Sequence, residues 1–129
     1  MSDASLFDLA SDPNTPPEVL DELAYHEEWQ IRFDVAQNPR APVSALEKLE
    51  NDEDNCIGAV IFYANVRENN TGAIPYAIAL NPNTPAFLLE KLIARNLPIL
   101  DSYIAANPNT TQRLKNYINA RGYVNSIFA

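Results

Sequence analysis

Apolar residues recur along the chain in short blocks that have the spacing of one helical face. Three blocks share this spacing: Val19, Leu20 and Leu23; Ala45, Leu46 and Leu49; and Leu88, Leu89 and Leu92. Positions three or four residues apart lie on the same side of an α-helix, so each block predicts a short amphipathic helix. We expect the leucines of these helices to be buried: Leu20, Leu23, Leu46, Leu49, Leu89 and Leu92.

A polar corner containing Asp-Pro or Asn-Pro precedes each of these helices. The corners begin at Asp12, Asn38, Asn81 and Asn107, with steps of 26, 43 and 26 residues. A residue before proline is disfavoured in the helical region, so these four residues should be extended. Ahead of the corner, a second apolar segment predicts another short helix, which ends at Val35-Ala36, Ile78-Ala79 or Ile104-Ala105.

The residues after each corner predict how the next helix begins. Thr15, Thr84 and Thr110 stand where an N-cap is wanted, and Pro16 and Pro85 would occupy the first helical position. The segment Thr15-Pro-Pro-Glu18 also fits a reciprocal capping box. Each unit is therefore predicted to be a pair of short helices joined by a corner.

One helix pair cannot bury its apolar face, but a stack of pairs can. The sequence therefore predicts an all-α, right-handed α-solenoid without a β-sheet, folded as one domain over residues 1–129. The predicted units are 1–11 (truncated), 12–37, 38–64, 65–80 (shortened), 81–106 and 107–129 (a C-terminal cap that includes Tyr123 and Phe128).

These motifs resemble the leucine-rich repeat variant family. The corner Ala-x-Asn-Pro-Asn-Thr-Pro, the following Leu-Leu-x-x-Leu and an Ile-x-x-x-Val-Ala segment carry the resemblance over about residues 6–118. It implies a HEAT- or armadillo-like fold in which α-helices alternate with shorter 3₁₀ helices. Some relatives carry an iron–sulfur cluster ahead of the repeats. No cysteine precedes Cys56 here, so we expect no cofactor.

Charge is distributed unequally along the chain. Residues 1–54 hold fourteen acidic and three basic residues, whereas residues 55–129 hold three acidic and six basic ones. An acidic surface repels nucleic-acid phosphate and anionic membranes and attracts a basic protein. We therefore expect a basic protein partner, with no binding to nucleic acid or to a membrane. The other interpretation is that the acids only keep the protein soluble.

Candidate catalytic and metal sites are few. His26 has no second histidine or paired cysteine near it in the sequence, and no nucleophile with a base and an orienting group is apparent. The run Asp52-Glu-Asp-Asn55 fails the calcium-loop pattern, because Ile57 stands where glycine is required and Tyr63 where glutamate is required. The sequence thus predicts neither an enzyme nor a metal site.

The second helix of each unit carries large or charged residues that depart from the regular pattern. We predict that they line the concave groove of the solenoid and bind the partner, although Trp29 suits core packing as well. The predicted contact residues are Trp29, Arg32, Tyr63, Asp101 and Tyr103 in this groove, together with Asp52, Glu53 and Asp54 of the acidic surface, which lie in a corner between helices. In contrast, Phe33, Tyr76 and Ser102 share one repeat position and are predicted to be core or seam residues.

Two functions fit this pattern. The first is a non-enzymatic protein-interaction module. The second is an inhibitor, an immunity-type protein or a nucleic-acid mimic that blocks a basic site on an enzyme. The N-terminus lacks a basic segment followed by a continuous apolar stretch, so we expect a cytoplasmic protein.

Overall fold

The computed structural model describes residues 3–52 and 73–121, and these residues form α-helices of seven to nine residues joined by short corners. The helices are α1 (Asp3–Ser11), α2 (Pro17–Leu23), α3 (Trp29–Gln37), α4 (Val43–Glu50), α5 (Ile74–Leu80), α6 (Ala86–Ile93), α7 (Pro98–Ala106) and α8 (Gln112–Ala120). Over these two ranges there is no strand, which confirms the all-α prediction. The predicted alternation with 3₁₀ helices is wrong in the same ranges, because both helices of a pair are α-helical. The right-handedness of the solenoid stays a prediction.

The helices are arranged in two rows. In row A, which consists of α1, α3, α5 and α7, each helix packs against the next. Row B consists of α2, α4, α6 and α8, and its helices also pack against their chain neighbours in row A. The described helices therefore alternate between the rows, so each pair buries its apolar face against the next pair.

The core lies between the two rows. All six predicted leucines are buried and define the row B side of this core: Leu20, Leu23, Leu46, Leu49, Leu89 and Leu92. Row A contributes Phe33 and Tyr76, which are 6% and 1% exposed, so the prediction that they are core residues is also confirmed. Ser102, at the equivalent position of α7, is buried as well.

The corner asparagines connect successive pairs through a ladder of hydrogen bonds. Asn38, Asn81 and Asn107 have extended backbones, as predicted, with ψ of 123°, 122° and 133°. The side-chain amide of Asn81 donates to the carbonyls of Ala36 at 2.8 Å and of Asn38 at 2.9 Å. Each amide thus saturates two main-chain acceptors of the pair before it, which buried carbonyl groups require.

The other two asparagines repeat this arrangement. Asn38 donates to the carbonyls of Ala10 and Asp12, both at 2.9 Å, and Asn107 donates to those of Ala79 at 2.7 Å and Asn81 at 3.0 Å. In every corner the side-chain Oδ1 accepts the N–H two residues later, for example from Asn83 to Asn81 at 2.8 Å. Asp12 makes this turn too, but a carboxylate has no amide with which to donate.

The 43-residue step between Asn38 and Asn81 does not interrupt the ladder. Asn81 binds the corner of Asn38 in the same way that Asn107 binds the corner of Asn81. As a consequence α5 lies directly on α3. The predicted boundary between units 38–64 and 65–80 lies outside the described residues and stays a prediction.

The predicted role of the corner threonines is wrong. The hydroxyl of Thr15 donates to the carbonyl of Leu9 at 2.6 Å, and that of Thr84 donates to Ile78 at 2.7 Å. Thr110 makes the same bond to Ile104. Each threonine therefore closes the end of the helix before the corner, because its side chain points back toward row A, and does not cap the helix after it.

The row B helices α2, α6 and α8 each begin one residue later than predicted. Pro16 and Pro85 are the N-caps of α2 and α6, and neither helix has a side-chain cap bond, so the capping box at Thr15 does not form. Pro17 holds the first helical position of α2, where a missing N–H does no harm. In α8 the cap is Thr111, whose hydroxyl accepts the N–H of Leu114 at 3.1 Å.

Candidate interaction surface

An internal ion pair joins α3 to the end of α4. The Nε of Arg32 donates to Asp52 at 2.6 Å, and the two side chains are 9% and 5% exposed. The Nη1 of Arg32 also donates to the carbonyls of His26 at 2.8 Å and Glu27 at 2.9 Å. The guanidinium therefore fastens the loop before α3 to the loop after α4.

A second internal ion pair stands at the other end of the stack. The Nη1 of Arg121 donates to Asp101 at 2.6 Å, and Asp101 is fully buried. Burial tends to lower the pKa of Arg121, but the hydrogen bond that Arg121 donates to the Tyr117 hydroxyl and the charge of Asp101 raise the pKa on balance. Arg121 also lies over the ring of Tyr117, with 4.7 Å between its Cζ and the ring centroid.

The two pairs occupy the same positions of the repeat with their charges exchanged. Arg32 and Asp101 each stand six residues before a corner asparagine, and their partners Asp52 and Arg121 stand 14 residues after it. Sequence reasoning missed both pairings, although the common separation of 20 residues is visible once the corners are aligned.

These ion pairs give a structural role to three residues that were predicted to contact a partner. Arg32 is 7% exposed, Asp101 is 0% exposed, and Asp52 has its carboxylate against Arg32. Contact with a partner is the wrong role for Asp101, since its carboxylate is not accessible. Arg32 and Asp52 are likewise engaged within the fold, which gives them a structural role.

The two predicted contact aromatics in the described part of the chain are half-buried against the core. Trp29 packs on Phe33 with ring centroids 6.3 Å apart, and Tyr103 meets Tyr76 edge-on at 5.7 Å. For Trp29, the structure favours the packing interpretation over ligand contact. The remaining predicted contact residues, Glu53, Asp54 and Tyr63, lie outside the described residues, as do the predicted cap residues Tyr123 and Phe128.

Among the described residues, the exposed aromatic rings lie on row B or, for Tyr25, in the loop that follows α2, where sequence reasoning did not place them. Tyr25, Phe87 and Tyr117 are 68%, 46% and 53% exposed. The signal was present in the sequence, because Tyr117 holds the outward position that Lys48 and Lys91 hold in α4 and α6. Large aromatic side chains at the surface are typical of protein-binding sites.

Charged side chains accompany these rings along row B. Lys48 lies over the ring of Tyr25, with 5.4 Å from its Nζ to the ring centroid. A shallow depression beside them is lined by Tyr25, Ser44, Glu47, Lys48, Asn51 and Lys91. A second depression between α6 and α8 is lined by Glu90, Ile93, Arg113, Leu114 and Tyr117. Row B thus presents aromatic surface with both signs of charge around it.

The first half of the described chain is acidic at its surface. Its exposed carboxylates are Asp8, Asp12, Glu18, Glu22, Glu27 and Glu47. Of the three basic residues in this half, Arg32 is bound inside the fold, Lys48 covers Tyr25, and Arg40 is exposed. The exposed acids are therefore largely unneutralised. Burial also raises the pKa of Asp34, which is half-buried on α3.

Two further features were sought in the part of the chain that the structure describes, a metal-binding cluster and a membrane-spanning helix. There, no group of three or more His, Cys, Asp or Glu side chains could hold a metal ion. Nor does this part contain a helix long and apolar enough to cross a membrane. His26 uses its Nδ1 to accept the N–H of Glu28 at 3.0 Å, which is a local turn contact.

The sequence was compared with models of known protein families, and one of them matches. The family model of the Leucine Rich Repeat Variant domain matches residues 74–124. This segment is similar to a leucine-rich repeat variant domain. The match confirms the resemblance given by the sequence motifs and includes the corners at Asn81 and Asn107. Asn38 makes the same ladder bonds before the matched segment, so the repeat architecture extends toward the N-terminus. No curated protein and no solved structure matches the chain.

Proposed function

We propose that the protein is a non-enzymatic interaction module that binds a basic protein partner. The observation that carries the proposal is the surface of the first two pairs, α1 to α4, which exposes six carboxylates while two of the three local basic residues are engaged within the fold. The helical repeat supports it as well, because stacked pairs offer extended surfaces to a partner.

The proposed contact surface is row B, which replaces the groove that was predicted from the sequence. Tyr25, Phe87 and Tyr117 are exposed there, whereas the corresponding groove residues of row A are packed or paired. Rigid aromatic rings supply much of the binding energy in protein interfaces, while the exposed acids of α1 to α4 would attract and orient a basic partner.

The test begins with the protein as bait for partners from the cells that produce it, followed by mass spectrometry. Binding rates of the purified partner are then measured at low and high salt. We expect association to slow as salt rises, and Glu18→Gln with Glu22→Gln to slow association more than it speeds dissociation. Asp8→Asn, which removes an exposed acid on row A, outside the proposed contact surface, is the matched control. If the association rate changes neither with salt nor with the Glu18 and Glu22 substitutions, the acids do not take part in binding and only keep the protein soluble.

The acidic surface also fits the second candidate, a protein that blocks a basic site on an enzyme. An activity assay on the same purified partner distinguishes the two functions. If the partner is an enzyme and loses its activity in proportion to the complex formed, the protein is an inhibitor. Full activity in the saturated complex would favour an interaction module.

A further inference from the structure

We propose that Arg95 binds an acidic side chain of the partner protein. The inference rests on the proposed function and adds a specific anion-binding residue to the basic half of the surface. A partner that fits both the proposed function and the Arg95 site would carry basic residues opposite α2 and α4 and a carboxylate opposite the end of α6.

Arg95 and Arg121 occupy the same position of the repeat and make the same kind of main-chain contact. Both residues stand 14 positions after a corner asparagine, and both reach back to the preceding pair. The Nη2 of Arg95 donates to the carbonyl of Glu50 at 2.7 Å, and the Nη2 of Arg121 donates to the equivalent carbonyl of Ile93 at 3.2 Å. The main chain therefore holds the two guanidinium groups alike.

The two arginines differ in the residue that would neutralise them. Arg121 has Asp101, which stands six residues before its corner and binds Nη1 at 2.6 Å. The equivalent residue for Arg95 is Pro75, which has no carboxylate. In the described chain the Nε of Arg95 is buried without a hydrogen-bond partner, and no ion pair joins Arg95 to the carboxylate of Glu50.

The remaining atom of this guanidinium is suited to an external ligand. Within the described residues the Nη1 of Arg95 makes no hydrogen bond, and it is not among the buried unpaired atoms, so it keeps contact with solvent. Arginine and carboxylate form short, charge-assisted hydrogen bonds, and the equivalent pair at Arg121 shows that this position accepts one. Exposed Lys91 and Arg113 on the same row favour an anion further.

The site can be tested on the whole chain with a small carboxylate probe. The peptide acetyl-Gly-Glu-Gly-amide is titrated at constant ionic strength while the arginine Nε–H signals are followed by NMR, and its glutamine counterpart is the control. We expect a saturable shift at Arg95, with Arg32 and Arg121 unaffected because their partners are internal. No saturable shift, or equal shifts at all three arginines, would overturn the proposal.

A variant that fills the site from within gives a second, independent test. Pro75→Asp places a carboxylate where Asp101 stands in the equivalent pair, and we expect it to weaken peptide binding about tenfold or more. Pro75→Asn is the matched control, since it also removes the proline but adds no charge. Equal peptide binding by both variants would contradict the assignment.

Measurements of partner binding distinguish failure of this inference from failure of the proposed function. We expect Arg95→Gln to weaken partner binding about tenfold. If the partner binds Arg95→Gln as tightly as wild type, yet still depends on salt, Glu18 and Glu22, the Arg95 site is wrong and the proposed function stands. If binding is lost with Arg95→Gln but does not depend on Glu18 and Glu22, the acidic half has been assigned wrongly and the Arg95 site stands.

Discussion

Arg32 and Asp101 occupy the same position of the repeat with opposite charge, and each forms an internal ion pair with the residue 20 positions later in the chain. These two units therefore share the pairing and not the residue types. A buried charge is tolerated only when it is paired and hydrogen-bonded, and in either orientation this arrangement satisfies that requirement.

Removing one member of such a pair should destabilise the fold strongly. We expect Asp52→Asn to lower the free energy of unfolding by about 3–5 kcal/mol, because it removes the carboxylate charge that pairs with the buried guanidinium of Arg32. The double variant Arg32→Asp with Asp52→Arg copies the order found at Asp101 and Arg121, and should recover most of the loss. Chemical denaturation measures both. A double variant no more stable than Asp52→Asn would show that the two positions are not interchangeable.

The asparagine ladder predicts that amide and carboxylate are not equivalent at the corners. In Asn81→Asp, a carboxylate faces the carbonyls of Ala36 and Asn38 and both hydrogen bonds are lost. We expect a loss of about 2–5 kcal/mol in the free energy of unfolding, because buried acceptors are left without donors. Asn14→Asp, at an exposed corner position, is the control and should change stability by less than about 0.5 kcal/mol. Equal effects would contradict the ladder.

The sequence was sufficient to predict the repeat, the helix pairs and the leucine core. Each of these follows from local spacing, since Leu46 and Leu49 must share a helical face and proline forces Asn38 into an extended conformation. The ladder could not be predicted in this way. A corner asparagine has the same sequence signature whether its amide meets solvent or the carbonyls of the preceding pair.

The candidate site was predicted less well, for a related reason. Charged residues such as Arg32 and Asp101 are usually exposed, so sequence reasoning placed them on a binding surface. Their burial depends on partners 20 residues away, which are adjacent only after the pairs have stacked. Thr15 and Thr84 show the same limit: the residue type suggested a cap for the next helix, but packing turned each hydroxyl toward the previous one.

The leucine core gives a prediction about packing. Leu49 and Leu89 are fully buried between the rows, so Leu→Ala at either position should cost about 2–5 kcal/mol in the free energy of unfolding. Leu80→Ala is the matched control, because Leu80 is 45% exposed on row A and should matter far less. Urea denaturation of the three variants checks this. A change below about 0.5 kcal/mol at Leu49 would contradict its place in the core.

The half-buried carboxylate of Asp34 predicts a pH-dependent contribution to stability. Burial raises the pKa of Asp34 in the folded protein above the ordinary value of 3.8. The folded state therefore binds the Asp34 proton more tightly than the unfolded state does. Above the folded pKa the carboxylate is charged and its burial destabilises the fold, whereas below the unfolded pKa it is neutral and this cost is absent. Stability from this group is therefore lost as pH rises through the folded pKa. We expect Asp34→Asn to raise the melting temperature at pH 7 by about 1–3 °C, and the gain to vanish near pH 3.

The equivalent residue of α1 supplies the control for this effect. Asp8 stands four residues before its corner, as Asp34 does, but it is exposed. Asp8→Asn makes the same chemical change at the same place in a helix, so any general effect of replacing an acid by an amide on the net charge is common to both variants. The difference between their melting curves at pH 7 and pH 3 isolates the burial of Asp34. If the two variants gain equally at pH 7, the gain comes from reduced net charge, and burial of the Asp34 carboxylate is not its cause.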